Sequence, residues 1–148
     1  MQLIGTQEAF IQSTVVLYNS VNKYDQDAQL WSLFGKLNLF YTLNWHYAHD
    51  NIMKSLQLDS TVDNINTFIF AGWLYSTPIY RDINTATSYY EKALNLNNND
   101  TSDFWPYFEY AAFLSHIADD FNLSQEYYLV AYNESPTQPF INFFYGLL

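Results

Sequence analysis

Cysteine is absent from the 148-residue chain, which excludes disulfides and thiolate metal sites. Cations are scarce too, because five lysines and arginines stand against 15 aspartates and glutamates, giving a formal charge of −10. The basic residues are scattered, whereas nucleic-acid binding requires clustered cations that displace counterions. An anionic membrane surface is disfavoured for the same reason. The charge therefore predicts no nucleic-acid partner and favours a basic or apolar one.

Long apolar runs and catalytic signatures are missing as well. No stretch reaches the roughly 18 consecutive apolar residues of a membrane-spanning helix, so no membrane partner is expected. The opening "MQLIGTQEAFIQ" has neither the basic region nor the apolar core of a signal peptide, so we expect a cytoplasmic protein. Gly-rich phosphate loops and nucleophile elbows do not occur, and we expect neither an enzyme nor a bound cofactor.

Two groups of histidine and aspartate have spacings that occur in metal or catalytic sites. His46, His49 and Asp50 lie three and four apart on a predicted helix, where they could share one divalent cation. The alternative is that they are solvated polar residues. His116 precedes the aspartate pair at 119–120 with a spacing that suits acid–base chemistry, but the same spacing is ordinary at an exposed helix end. Neither group is joined by a further ligand or motif, and no metal or catalytic site is predicted.

Apolar side chains are plentiful and periodic. Hydrophobic residues make up 49% of the chain and aromatic residues 20%, which is enough for a packed core at this length. In the stretch "ATSYYEKALNLNNND", residues 86–100, Ala86, Tyr90 and Ala93 lie four and then three apart and so share one helix face. The asparagine-rich end of this stretch predicts that the helix stops there, because Asn and Asp side chains compete for backbone hydrogen bonds.

This face of small, large, small and large residues recurs every 38 residues. The three copies are Ala48, Ile52, Ser55 and Leu56; Ala86, Tyr90, Ala93 and Leu94; and Ser124, Tyr128, Ala131 and Tyr132. Three copies at one fixed period indicate an internal repeat.

An aromatic-rich segment precedes each copy and carries small residues near its middle. The segments are "LWSLFGKLNLFY", "NTFIFAGWLYS" and "PYFEYAAFLSHIA", with small residues at Gly35, Ala71-Gly72 and Ala111-Ala112. Small residues at matching places let two helix backbones approach closely. The sequence thus predicts three units of two amphipathic helices each, with a longer turn, "STPIYRD", in the second unit.

The units resemble the tetratricopeptide repeat (TPR), a helix–turn–helix of about 34 residues with a W-x2-L-G-x2-Y…A-x3-F…P signature. The matching residues are Trp31, Phe34, Gly35, Ala48 and Ile52; Phe68, Ala71, Gly72, Tyr75, Ala86 and Tyr90; and Phe108, Ala111, Ala112, Ser124, Tyr128 and Pro136. The resemblance covers roughly residues 27–137. It implies an all-α fold, a short right-handed α-solenoid of about three helix–turn–helix pairs with extra helices at both ends.

The predicted organisation is one helical-repeat domain over residues 1–148. Its parts are an N-terminal helix (1–26), three repeats (27–62, 63–100 and 101–137) and a C-terminal partial or packing helix (138–148). The ending "PFINFFYGLL" is nearly all apolar, whereas solenoids usually finish with a polar capping helix. Three alternatives follow: the ending folds back on the third repeat, continues into a longer protein, or meets a second copy in a homodimer.

The resemblance also implies a binding surface. In this family the first helix of each pair lines a concave groove that receives peptides, and the residues one and five after each leading aromatic face that groove. The implied groove residues are Ser32, Lys36, Ile69, Trp73, Glu109 and Phe113, with His116 a turn further on. The alternative is that Trp73 and Phe113 pack against neighbouring helices.

The function expected from this resemblance is a protein–protein interaction module. Its acidic and aromatic groove would bind a peptide or partner protein through an apolar, aromatic or basic segment, with Trp73 and Phe113 as anchors. Lys36 is the one cation on these faces, so the lysine-rich clamp that some family members use for chaperone carboxylates is not expected. A dedicated secretion-type chaperone for one substrate, or a segment of a larger TPR scaffold, is the alternative.

Overall fold

The computed structural model describes residues 2–58, 65–100 and 103–139. Within those ranges the chain forms seven α-helices and no strand, which confirms the all-α prediction for this part of the protein. The helices are α1 (Gln2–Lys23), α2 (Ala28–Phe40), α3 (Trp45–Leu58), α4 (Ile65–Ser76), α5 (Ile83–Asp100), α6 (Phe104–His116) and α7 (Phe121–Glu134). The predicted N-terminal helix is therefore present, and six further helices follow it as consecutive pairs.

The chain divides into two compact units, Met1–Phe70 and Ala71–Leu148, and the boundary falls inside α4. In the first unit, α1 packs on α2 and α2 packs on α3. In the second unit, α6 packs on both α5 and α7, and the last residues of α4 contact α5.

Helix packing in the first unit depends on small residues at the points of contact. Gly35 on α2 faces Ile52 on α3, and a Cβ added to Gly35 would lie 2.6 Å from Cγ1 and 3.2 Å from the backbone nitrogen of Ile52. Ser55, which is fully buried, donates its hydroxyl to the carbonyl oxygen of Ala28 at 2.7 Å. The α2–α3 pair thus approaches more closely than larger side chains would permit.

In the second unit, an aromatic ring instead of an aliphatic side chain packs on the glycine. A Cβ on Gly72 would lie 2.6 Å from Cε2 of Tyr90, so the α5 ring fills the space over the glycine. Tyr90 also packs on Tyr110 and Phe113 of α6, with ring centroids 5.6 and 5.0 Å apart. Each ring contact buries a large apolar area and adds a favourable edge or stacking geometry.

The 38-residue period reappears as a period in burial. Nine positions from the three copies are at most 1% exposed: Ala48, Ile52, Ser55, Ala86, Tyr90, Ala93, Ser124, Tyr128 and Ala131. The first three residues of each copy therefore face the interior, as the pattern predicted. In the described residues, each second helix therefore buries the same face, which is consistent with a helical-repeat organisation.

The residues that begin the helices follow the period as well. Asx side chains accept a backbone N–H at five helix starts, through the pairs Asp27–Leu30, Asn44–Tyr47, Asp82–Thr85, Asp103–Trp105 and Asp120–Leu123. Asn44, Asp82 and Asp120 are separated by 38 residues, and each precedes the second helix of a pair. Such caps satisfy backbone donors that the helix itself leaves without acceptors.

The connections 41–44 and 117–120 share one backbone geometry. Leu43 and Asp119 occupy equivalent positions in them, and both have left-handed backbone conformations, with φ of 55° and 58°. The second pair has the longer connection that its sequence predicts, residues 77–82, and there Asp82 donates its N–H to the carbonyl of Tyr75 at 2.9 Å.

The helix α5 ends within the predicted asparagine-rich stretch. It runs through residues 97–99 and ends at Asp100. Asn97 is fully buried, and its amide binds the backbone of Asp103 instead of competing with its own helix. The apolar ending at residues 140–148, and with it the proposed homodimer contact, lies outside the described residues.

No described helix combines the length and the apolarity that crossing a bilayer requires.

Candidate functional site

The strongest candidate site is an exposed tryptophan held by a buried carboxylate. Trp73, near the end of α4, is 36% exposed, and its indole N–H donates to Oε2 of Glu109 on α6 at 2.6 Å. Glu109 itself is only 6% exposed. The hydrogen bond fixes the ring orientation of Trp73 and leaves part of its apolar surface open to solvent.

The carboxylate of Glu109 raises the pKa values of nearby tyrosines. Burial raises the pKa of Glu109 from its ordinary 4.5, and the Trp73 hydrogen bond offsets part of this effect. Burial also lifts the pKa of Tyr90 well above 10, the Glu109 charge adds to that rise, and a hydrogen bond from Ser76 opposes it. Burial raises the pKa of Tyr128, and the Glu109 charge adds to that rise.

No basic side chain pairs with Glu109 within the described part of the chain. A buried acid whose hydrogen-bond donor is neutral is unusual in an ordinary core, since burying charge without a counter-ion is costly. Perturbed carboxylates of this kind concentrate at functional sites.

His116, another predicted groove residue, is exposed at the end of α6. Its Nδ1 atom lies 2.8 Å from Oγ of Ser115 and 2.8 Å from the carbonyl oxygen of Ala112. Asp120 meanwhile accepts the backbone N–H of Leu123 at 3.1 Å, as the cap of α7. These contacts are those of a helix end, in agreement with the ordinary interpretation of the histidine–aspartate spacing.

The other implied groove residues differ in burial. In the first unit, Ser32 is 6% exposed and its hydroxyl lies 2.6 Å from that of Thr67, while Lys36 is exposed with Nζ 5.6 Å from the Phe70 ring centroid. Ile69 is 1% exposed.

Phe113, which the resemblance implies as the counterpart of Trp73 in the third unit, has a different environment. It is 3% exposed and packs on Tyr90 and Tyr110. This burial agrees with the packing alternative for Phe113, so Trp73 is the exposed aromatic of the set in the second unit.

Of the three candidate metal ligands, His46, His49 and Asp50, the last two contact each other. Nδ1 of His49 lies 3.2 Å from Oδ1 of Asp50, its neighbour in sequence. Among the described residues, no group of three or more histidine or acidic side chains is placed to hold a metal ion.

Two surfaces were not predicted from the sequence. One is a cleft of about 270 Å³ in the second unit, which Glu91, Leu94, Asn95, Tyr107 and Tyr127 line. Its residues come from α5, α6 and α7, and only their spacing along three helices, not any motif, would have indicated it.

The second unpredicted surface lies on α1. Four apolar side chains, Ile11, Val15, Val16 and Tyr18, are each more than half exposed. Ile11, Val15 and Tyr18 lie four and three residues apart and so share one face of the helix, whereas Val16 directly follows Val15 and lies on another face. Exposed apolar patches commonly mark interaction surfaces.

Comparisons of the chain with protein-family models, with curated proteins and with solved structures gave no match.

Proposed function

We propose that this protein is a protein-interaction module that binds a peptide or partner protein through a surface centred on Trp73. The observation that carries the proposal is the pairing of a partly exposed indole with a buried carboxylate, Glu109. Tryptophan is the residue most enriched at the energetic centres of protein interfaces. A ring already held in place loses less conformational freedom on binding than a mobile one.

The proposal includes a TPR-like arrangement of the helix pairs in a short right-handed solenoid. Three helix pairs, one period in burial and one period in the caps of the second helices support this arrangement. A partner with an apolar, aromatic or basic segment suits the acidic chain and the Glu109 carboxylate.

Peptide selection followed by substitution tests the proposal. A displayed library of random peptides is selected on the full chain, and the affinity of the selected peptides is measured by calorimetry for wild type and Trp73→Ala. We expect the variant to bind at least about tenfold more weakly, equivalent to about 1.4 kcal/mol, because the apolar anchor is lost.

Trp105→Ala is the matched control, because Trp105 is also 36% exposed but lies at the start of α6. Circular dichroism establishes that both variants fold. Equal affinity of wild type and Trp73→Ala for every selected peptide would overturn the proposal. Phe113→Ala is unsuitable here, since removing a buried ring would destabilise the fold itself.

A further inference from the structure

The cleft between α5, α6 and α7 has the lining of a cation site. Its lining residues include the acidic Glu91 and two tyrosines, Tyr107 and Tyr127. These two rings stack at 21° with centroids 6.4 Å apart, and Tyr110 packs against Tyr127 at 4.8 Å. Aromatic ring faces attract cations through their quadrupole, and an adjacent carboxylate adds charge attraction.

The Glu91 carboxylate places negative charge beside the tyrosines around this cleft. Burial raises the pKa of Tyr110 to about 12, and the Glu91 charge is the next cause, followed by Tyr127 and Asp120. Burial also raises the pKa of Tyr127, again with Glu91 as the next cause. A charge that opposes ionisation of these phenols favours a cation at the same place.

Among the described residues, the second unit offers no cation of its own at the cleft. Residues 71–148 contain nine acidic and two basic residues, a formal charge of −7. The guanidinium of Arg81 donates to the carbonyl oxygen of Ile117 at 3.4 Å, and Nζ of Lys92 lies 5.1 Å from the Tyr89 ring centroid. Glu91 forms no ion pair in the part of the chain that the structure describes.

We infer that this cleft binds one cationic side chain, a lysine or an arginine, of a basic partner segment. The volume of about 270 Å³ accommodates a single long side chain, with its apolar stem against the rings and Leu94 and its charge at Glu91. The inference rests on the proposed function only in taking the occupant to be part of a protein. It concerns α5 to α7, whereas Trp73 lies on α4.

Small-molecule probes test the cleft without an identified partner. Nα-acetyl-lysine methylamide, and the arginine equivalent, are titrated into the full chain while the ring resonances of the tyrosines are followed by NMR. We expect saturable shifts at Tyr107 and Tyr127 with a dissociation constant on the order of 1–10 mM, as one weak ion contact and cation–π contact provide. The neutral Nα-acetyl-norleucine methylamide keeps the four-carbon stem of lysine without its ammonium group and should cause no saturable shift.

Glu91→Gln should weaken binding of the cationic probes at least tenfold, because it removes the charge and keeps the shape. Glu134→Gln, at an exposed position near the end of α7, should leave binding unchanged. The two probes distinguish lysine from arginine as the better occupant. Absence of saturable shifts, an equal response to the norleucine probe, or unchanged binding in Glu91→Gln would overturn the inference. Such a failure would leave intact any peptide binding that depends on Trp73.

Discussion

The indole of Trp73 donates to Oε2 of Glu109 at 2.6 Å, so a partly exposed ring is positioned by an almost fully buried carboxylate. The two residues come from α4 and α6, the first helices of two successive pairs. Because Glu109 is buried and has no basic partner among the described residues, its charge costs free energy in the folded state. This cost makes the pair sensitive to pH.

Glu109→Gln should remove a pH dependence of stability. Since burial raises the pKa of Glu109, the folded state binds this proton more tightly than the unfolded state does. The free energy of unfolding of the wild type should therefore fall as pH rises above the ordinary carboxyl pKa of 4.5 and through the folded value. Urea unfolding of both proteins from about pH 4 to about pH 7 measures this, and the difference should shift in favour of the glutamine variant with rising pH. A difference that stays constant with pH would contradict the prediction.

Gly72→Ala should destabilise the protein although alanine is the better helix former. The added Cβ would meet three atoms of the Tyr90 ring at 2.6 to 2.9 Å, and that ring is 1% exposed and enclosed by others. Overpacking of this kind costs about 1–3 kcal/mol, more than the gain of about 1 kcal/mol in helix propensity. Urea unfolding gives the value, and in a double-mutant cycle Tyr90→Leu should relieve part of the cost. Additive effects of the two substitutions would show that the ring is not the cause.

Asn97→Ala should lower stability by about 2–3 kcal/mol, because it removes two partly buried hydrogen bonds made by a fully buried amide. The Asn97 side chain donates from Nδ2 to the Asp103 carbonyl at 2.7 Å and accepts its N–H at 3.1 Å, which holds the start of α6 against the end of α5. Thermal and urea unfolding test this, with Asn95→Ala on the exposed face of α5 as control. A loss no greater than that of the control would contradict the prediction.

Leu43→Asn should raise stability by about 0.5–1 kcal/mol, because asparagine tolerates left-handed backbone better than leucine does. Leu43 has φ of 55° and is 62% exposed, so the substitution sacrifices little buried area. Leu33→Asn, at a 51% exposed position within α2, is the control and should lower stability through helix propensity. The prediction fails if both substitutions change the urea midpoint in the same direction.

Alkaline pH should unfold the protein in a way that depends on its buried tyrosines. Burial raises the pKa of Tyr110 to about 12, so the folded state keeps a proton that the unfolded state loses near the ordinary value of 10. Stability should therefore fall as pH rises from 10 towards 12. Tyr110→Phe keeps the ring packing and should reduce this slope, as urea unfolding at several alkaline pH values would show. An unchanged slope would assign the effect to other tyrosines.

The 38-residue recurrence of small and large residues predicts the helices, but it does not predict how deeply each side chain is buried. Ala48, Ala86 and Ser124 were placed on interior faces because backbone approach requires small residues at repeated points, and all three are fully buried. The resemblance to the tetratricopeptide repeat implies equivalent groove positions for Trp73 and Phe113, yet they are 36% and 3% exposed. Burial at that position depends on which rings the neighbouring helix supplies, and the period carries no information about this.

The sequence pattern also did not predict the hydrogen bond between Trp73 and Glu109. A glutamate near the middle of an aromatic helix gives no sign of whether it is buried or which donor it meets, because both depend on the packing of helices distant in sequence. The recurrence of Asn44, Asp82 and Asp120, by contrast, was present in the sequence at the same 38-residue interval. These three polar residues mark the starts of all three second helices.

Ile52 fits the space over Gly35, and Tyr90 fits the space over Gly72. These two contacts limit which helices of the chain can be exchanged for one another. If α3 replaced α5, the smaller Ile52 side chain would lie over Gly72 in place of the Tyr90 ring and would leave part of that space empty. The reverse exchange would force a phenol ring into the narrower gap over Gly35. The side chain that one helix places over the glycine fits only the partner helix of the same pair. Whole helix pairs are therefore the units that can be duplicated or exchanged.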